Sequence, residues 1–178
     1  AGEPSLWWPV VARNKKAITL DMRQDEGQRV LKELVKEADF VLENFRPGTL
    51  ERLGLGPDVL HRTNPDLVIT RVTGFGQTGP YAQRAGYDFL IQGMGGLMSL
   101  TGTKDGEPLK VGVALADIMT GLYATIGVQA ALLERERSGL GQHVDLALLD
   151  VQVATLANQA MNYLVGGKVP GRSGNAHP

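Results

Sequence analysis

Residues 25–45 read DEGQRVLKELVKEADFVLENF, and their hydrophobic period changes midway. Val30, Leu31, Leu34 and Val35 recur at helical spacing, which predicts an amphipathic helix over Asp25 to Asp39. The compact apolar run that follows, FVLENF, predicts a strand instead. Upstream, AITLDM (Ala17 to Met22) predicts another short strand. Downstream, LVITRV (Leu67 to Val72) predicts a third. Between FVLENF and LVITRV, glycine and proline break GTLERLGLGPDVLHRTNPD into one or two short helical turns. Strands alternating with helical crossovers predict an α/β fold, a Rossmann-like parallel sheet containing Ala17–Asp21, Phe40–Glu43 and Leu67–Val72.

Such sheets gather ligands beyond the carboxyl ends of their strands. Three stretches are expected there: Met22–Arg23, Asn44–Phe45–Arg46, and the loop GFGQTGPYAQRAGYD from Gly74 to Asp88. Farther along, FLIQGMGGLMSL predicts a buried helix, and TGTKDGEPLK an exposed turn. A long helix is expected from Asp117, apolar nearly all round to Leu133 and charged from Glu134 to Arg137. Gly139 or Gly141 would end it. QHVDLALLD then predicts a strand, and VQVATLANQAMNYLVGG a further buried helix.

The 178 residues suffice for one domain with a core, or for part of a larger one. A net charge of -1 provides no basic field, so nucleic acid is not the expected partner. No uninterrupted apolar run approaches the roughly 18 residues of a membrane span, so no membrane partner is expected either. The sequence has no cysteine, which excludes disulfides, thiolate metal sites and a cysteine nucleophile. A cytoplasmic location fits that composition. His61, His143 and His177 are far apart and show no metal-ligand spacing, so no metal is expected.

Familiar nucleotide signatures fail. No G-x-x-x-x-G-K-[ST] loop occurs, and GFGQTG is followed by proline where a dinucleotide site needs a helix. No G-x-S-x-G elbow supports a serine hydrolase. Asp117 is the carboxylate that stands out. It ends an apolar approach and opens the predicted long helix, a place that reads first as an N-cap. A second role is open to it: helix amides favour its ionised form, and an ionised carboxylate in apolar surroundings is a competent nucleophile toward an activated acyl group. Thr120 and Gly121, one turn on, would leave room for a substrate.

Four stretches together carry a resemblance: RNKKAITLDM, VLENFRPGTLERLGLG, RVTGFGQTGPYAQRAGYDFLIQGMGGLMSLTG and ADIMTGLYATIGVQAALLERERSGLGQHVDLALLD. In unbroken order, and ending with RSGNAHP, they make the chain similar to the class III coenzyme A transferases. That family includes formyl-CoA transferase, carnitine-linked CoA transferases and, as a divergent branch, α-methylacyl-CoA racemase. The resemblance implies an interlocked homodimer and an acyl-CoA and a small carboxylic acid as substrates. It also implies that residues 1–178 form a single large-domain piece, with chain missing at both ends. The absent parts would include an earlier segment that contacts CoA and a later glycine-rich loop over the aspartate.

The resemblance places the family's catalytic aspartate at Asp117, which attacks the donor thioester and forms an anhydride and then an aspartyl-CoA thioester. It places Leu20 and Arg23 beside the CoA nucleotide, Asn44, Phe45 and Arg46 along the cofactor, and Arg52 at a phosphate. By pattern alone Arg46 and Arg52 read as solvated helix-start charges. The end of the Gly74–Asp88 loop, comprising Ala85, Gly86, Tyr87 and Asp88, would lie along the pantetheine arm. Some transferases carry lysine where this chain has Ala85. The racemase branch uses a histidine at the position of Tyr87, and tyrosine, with a pKa near 10, is a poor neutral-pH base. Transfer is therefore the expected activity, with isomerisation or a catalytically incomplete fold as alternatives.

Overall fold

A computed structural model describes residues 5–176. His177 lies outside the described residues. After a single helical turn, α1 (Trp8–Val11), the chain forms α2 (Asp25–Lys36), β1 (Phe40–Glu43), α3 (Thr49–Arg52), α4 (Pro57–Thr63) and β2 (Val68–Thr73). Then come α5 (Asp88–Met94), α6 (Leu97–Leu100), α7 (Leu115–Ser138), β3 (His143–Ala147), α8 (Leu148–Ala154) and α9 (Asn158–Leu164). The three strands form one wholly parallel sheet in the order β1-β2-β3. Phe40 pairs with Val68, and Ile69 with His143.

The central strand carries the sheet. Val68, Ile69, Thr70 and Arg71 are all buried, the continuous burial expected where helices cover both faces of parallel strands. On one side α2, α3 and α4 close over it, with Val35, Leu50, Leu55, Leu60, Leu67 and Ile69 as the core. A smaller cluster, Ile91, Ala116 and Leu148, joins α5, α7 and α8 near the other end of the sheet.

Two expected strands pair in parallel as foreseen, but the third is not Ala17–Asp21. That stretch has no regular structure, and Ile18 is 68% exposed. A strand exists only where a neighbouring backbone accepts its ladder, and none of the described residues offers one here. The third place belongs to β3, inside QHVDLALLD, which becomes helical after Ala147. Two expected helices are each divided. Gly96, at φ +86°, separates α5 from α6. Ala157, at φ +47°, separates α8 from α9, and no residue of α9 is buried. The long helix starts two residues before Asp117 and ends at Gly139.

By length and composition α7 is apolar enough to cross a membrane. Counting uninterrupted apolar residues missed this, because Thr120, Gly121, Thr125, Gly127 and Gln129 punctuate the run. Its buried residues, Ala116, Thr120, Ala124, Val128 and Ala131, are small and form the side packed on the sheet and α8.

One ion-pair group crosses the core. Buried Arg71 donates from Nε to Glu43 Oε1 (2.6 Å) and from Nη1 to Glu51 Oε1 (2.7 Å). Glu43 Oε2 accepts the Phe45 N–H at 2.6 Å. The group thereby ties the last residue of β1, the turn after it and α3 to the central strand.

Candidate active site

A groove of about 670 Å³ opens at the carboxyl ends of β1 and β2. Leu42 to Pro47 form one lip, and Val72, Thr73 and Gly74 the floor beside it. Arg84, Ala85, Gly86 and Tyr87 come from the loop after β2. The remaining wall is Asp117, Thr120, Gly121 and Ala124 of α7, with Leu148. The small residues of α7 that keep its backbone close to the sheet also leave this space open.

The loop is held by a close backbone approach. A Cβ added to Gly74 would lie 2.5 Å from Gly86 Cα, nearer than two such atoms can come. Phe75 and Tyr81 pack edge to face with centroids 5.5 Å apart, and the Arg84 guanidinium lies 4.6 Å above the Tyr81 ring. The Gln77 N–H donates to Asp145 Oδ2 (3.0 Å), fastening the loop to β3. Gly74→Ala must separate two backbones with no side chain to yield. It should therefore destabilise the protein by about 1–3 kcal/mol and draw Ala85–Tyr87 away from the groove wall. Denaturant titration reads the loss, and an alanine variant as stable as wild type would contradict this account of the loop.

Asp117 is the third residue of α7, not its N-cap; that place belongs to Ala114, whose side chain cannot cap. The helix start is satisfied from a distance instead. Asp88 Oδ1 accepts from the N–H groups of Ala116 (2.7 Å) and Asp117 (3.3 Å). The Asp117 carboxylate itself makes no hydrogen bond among the described residues. It remains solvent-accessible, yet partial desolvation and, after it, the negative charge of Asp88 push its pKa above the ordinary aspartate value. The helix start works in the opposite direction. Desolvation and the like charge both make the carboxylate more basic than a free one.

Of the residues singled out from the sequence, Asn44, Phe45, Arg46, Ala85, Gly86, Tyr87 and Asp117 line this one groove. Leu20, Arg23, Arg52 and Asp88 are not among its lining residues. Arg23 forks onto Asp21 (2.8 and 3.0 Å), and that side-chain hydrogen bond is the main cause lowering the Asp21 pKa to about 2. Arg52 Nη2 donates to Thr49 Oγ1 at 3.0 Å. Arg84, Glu43 and Thr73 were missed. Arg84 adjoins the expected Ala85–Asp88 segment, so its charge was a legible signal. Glu43 and Thr73 could be found only by knowing which face of each strand meets the groove.

The lining suits a ligand that is part apolar and part anionic. Leu42, Phe45, Val72 and Leu148 supply apolar surface, and Arg46 and Arg84 supply guanidinium groups with no acidic partner among the described residues. Thr73 Oγ1 is buried without a hydrogen-bond partner among the described residues, a polar atom available to a bound molecule.

Known proteins with this architecture are plentiful. A family model described as CoA-transferase family III matches residues 1–178. A succinate–glutarate CoA-transferase of Agrobacterium fabrum is 54% identical over 98% of this chain and 44% of its own. A succinyl-CoA–D-citramalate CoA-transferase of Chloroflexus aurantiacus is 46% identical over 98% of this chain and 43% of its own. Among solved structures, a CaiB/BaiF family protein from Brucella suis superposes with a TM-score of 0.89 at 58% identity. That match covers 92% of this chain and 43% of the other. The chain thus spans less than half the length of the relatives it matches.

Proposed function

Because the chain belongs to CoA-transferase family III, we propose that the intact protein moves coenzyme A from an acyl-CoA to a free carboxylic acid, with short dicarboxylic acids as the substrate class. The observation that carries this reading is Asp117, a carboxylate with a raised pKa and no hydrogen-bond partner among the described residues, on the wall of a groove lined by apolar side chains and guanidinium groups. The two relatives described above are named for succinate, glutarate and citramalate, which supports the dicarboxylate class.

Asp117 attacks the thioester carbonyl of the donor, forming a mixed anhydride and expelling CoA thiolate. The thiolate attacks the aspartyl carbonyl, releasing the donor acid and leaving an aspartyl-CoA thioester. The acceptor carboxylate attacks that thioester and again expels thiolate, giving a second anhydride. Attack of the thiolate on the acceptor's acyl carbon produces the new acyl-CoA and frees Asp117. Each step exchanges one activated acyl bond for another, so no external energy source enters. Asn44, Phe45, Arg46 and Ala85–Tyr87 border the CoA arm in this reading, with Leu20, Arg23 and Arg52 toward its nucleotide end.

The test is the intact protein incubated with succinyl-CoA and glutarate in deuterated water, followed by mass spectrometry. Glutaryl-CoA without deuterium in its acyl chain is the expected product. Unchanged succinyl-CoA with every acid in a panel overturns transfer, and deuterium uptake beside the thioester without transfer indicates isomerisation.

A further inference from the structure

The loop after β2 and the first turn of α7 meet at one side chain. Asp88 Oδ1 takes two α7 amides, those of Ala116 and Asp117, from 28 and 29 residues away in sequence. Its other oxygen accepts from Gln92 Nε2 at 2.6 Å. Gln92 is fully buried and grips the approach to α7: its Oε1 accepts the Val111 N–H (2.8 Å) and its Nε2 donates to the Val113 carbonyl (3.3 Å). Both Asp88 oxygens are therefore committed within the fold. An Ala114 cap leaves the helix no local substitute.

We propose that Asp88 is the positioning residue for Asp117, holding the first-turn amides of α7 so that the Asp117 carboxylate stands on the groove wall beside Ala85 and Tyr87. The inference rests on the reading of Asp117 as nucleophile and differs from a role for Asp88 as a CoA contact. Asp88 also brings its charge. Glu43, Arg46, Arg84 and Tyr87 face the same groove, and among these neighbours Asp88 is the group that acts on Asp117. Removing its charge leaves Asp117 less basic, so the acid limb of the pH–rate profile moves to lower pH.

The experiment uses the intact protein with Asp88→Ala and Asp88→Asn. Asp88→Ala should lower kcat about tenfold or more while the Kd for CoA stays within about twofold, since a displaced nucleophile costs rate and not binding. Asp88→Asn can still accept the two amides; it should keep more activity than alanine and show the shifted acid limb. Backbone hydrogen exchange at residues 116 and 117 should quicken in Asp88→Ala. A raised Kd for CoA with kcat unchanged would make Asp88 a ligand contact and overturn the proposal. So would unaltered exchange in the alanine variant, or an asparagine variant with wild-type kcat and pH profile. If alanine prevents folding, the asparagine variant decides. If the wild type transfers no CoA, the proposed function fails, and exchange at residues 116 and 117 alone decides the role of Asp88.

Discussion

With Asp117 as the proposed nucleophile, Asp117→Asn in the intact protein is expected to reduce the proposed CoA transfer by on the order of 10³-fold or more, the scale set by removing a covalent nucleophile. Its stability should barely change. The Asp117 carboxylate accepts no hydrogen bond among the described residues, and the helix start it belongs to is capped by Asp88. Asparagine there is nearly isosteric, so the shift should stay within about 0.5 kcal/mol. Asp117→Glu should also fail, because one methylene moves the attacking oxygen beyond a near-attack geometry. Hydroxylamine trapping of the enzyme incubated with acyl-CoA, with mapping of the modified peptide, tests the covalent step. Label on a residue other than Asp117, or normal turnover by the asparagine variant, would leave this carboxylate without the nucleophilic role.

Arg71→Met is expected to be the largest single loss of stability, about 3–5 kcal/mol, because it strands a buried charge. The Glu43 side chain is only 2% exposed and is left without its cationic partner when Arg71 goes. Methionine fills much of the volume, so the loss comes from the unpaired carboxylate more than from a cavity. Adding Glu43→Gln to Arg71→Met should therefore recover more than half of it, since glutamine remains an acceptor for the Phe45 N–H without the charge. Glu51, the other partner, is 45% exposed, and its neutralisation should cost no more than about 1 kcal/mol. Urea denaturation of the three variants measures these differences. An Arg71→Met loss below about 1 kcal/mol would mean that Glu43 finds water or another partner, and that the group does not hold the Asn44–Arg46 lip.

The sequence alone determined the class of fold and the neighbourhood of the groove. Periodicity separated α2 from β1, and the burial of both faces of β2 follows from the apolar run Leu67–Val72. Those signals are local: each depends on which side of an element a residue falls, and spacing records that. The strand-end rule then brought Asn44–Arg46 and the Gly74–Asp88 loop to one end of the sheet. The resemblance to known CoA transferases singled out Asp117.

Tertiary structure decided the rest. AITLDM has a strand's composition but no neighbouring ladder, whereas HVDLA, far along the chain, has one in β2. Asp117 read as an N-cap because a polar residue at a helix start ordinarily caps itself, yet Asp88 does so from another element. Arg71 sits in a strand interior, and nothing in its spacing announces two glutamates waiting 28 and 20 residues upstream. Strand partners, long-range caps and buried ion pairs join groups distant in sequence. Their energy depends on desolvation and on distances that exist only once the chain has closed on itself.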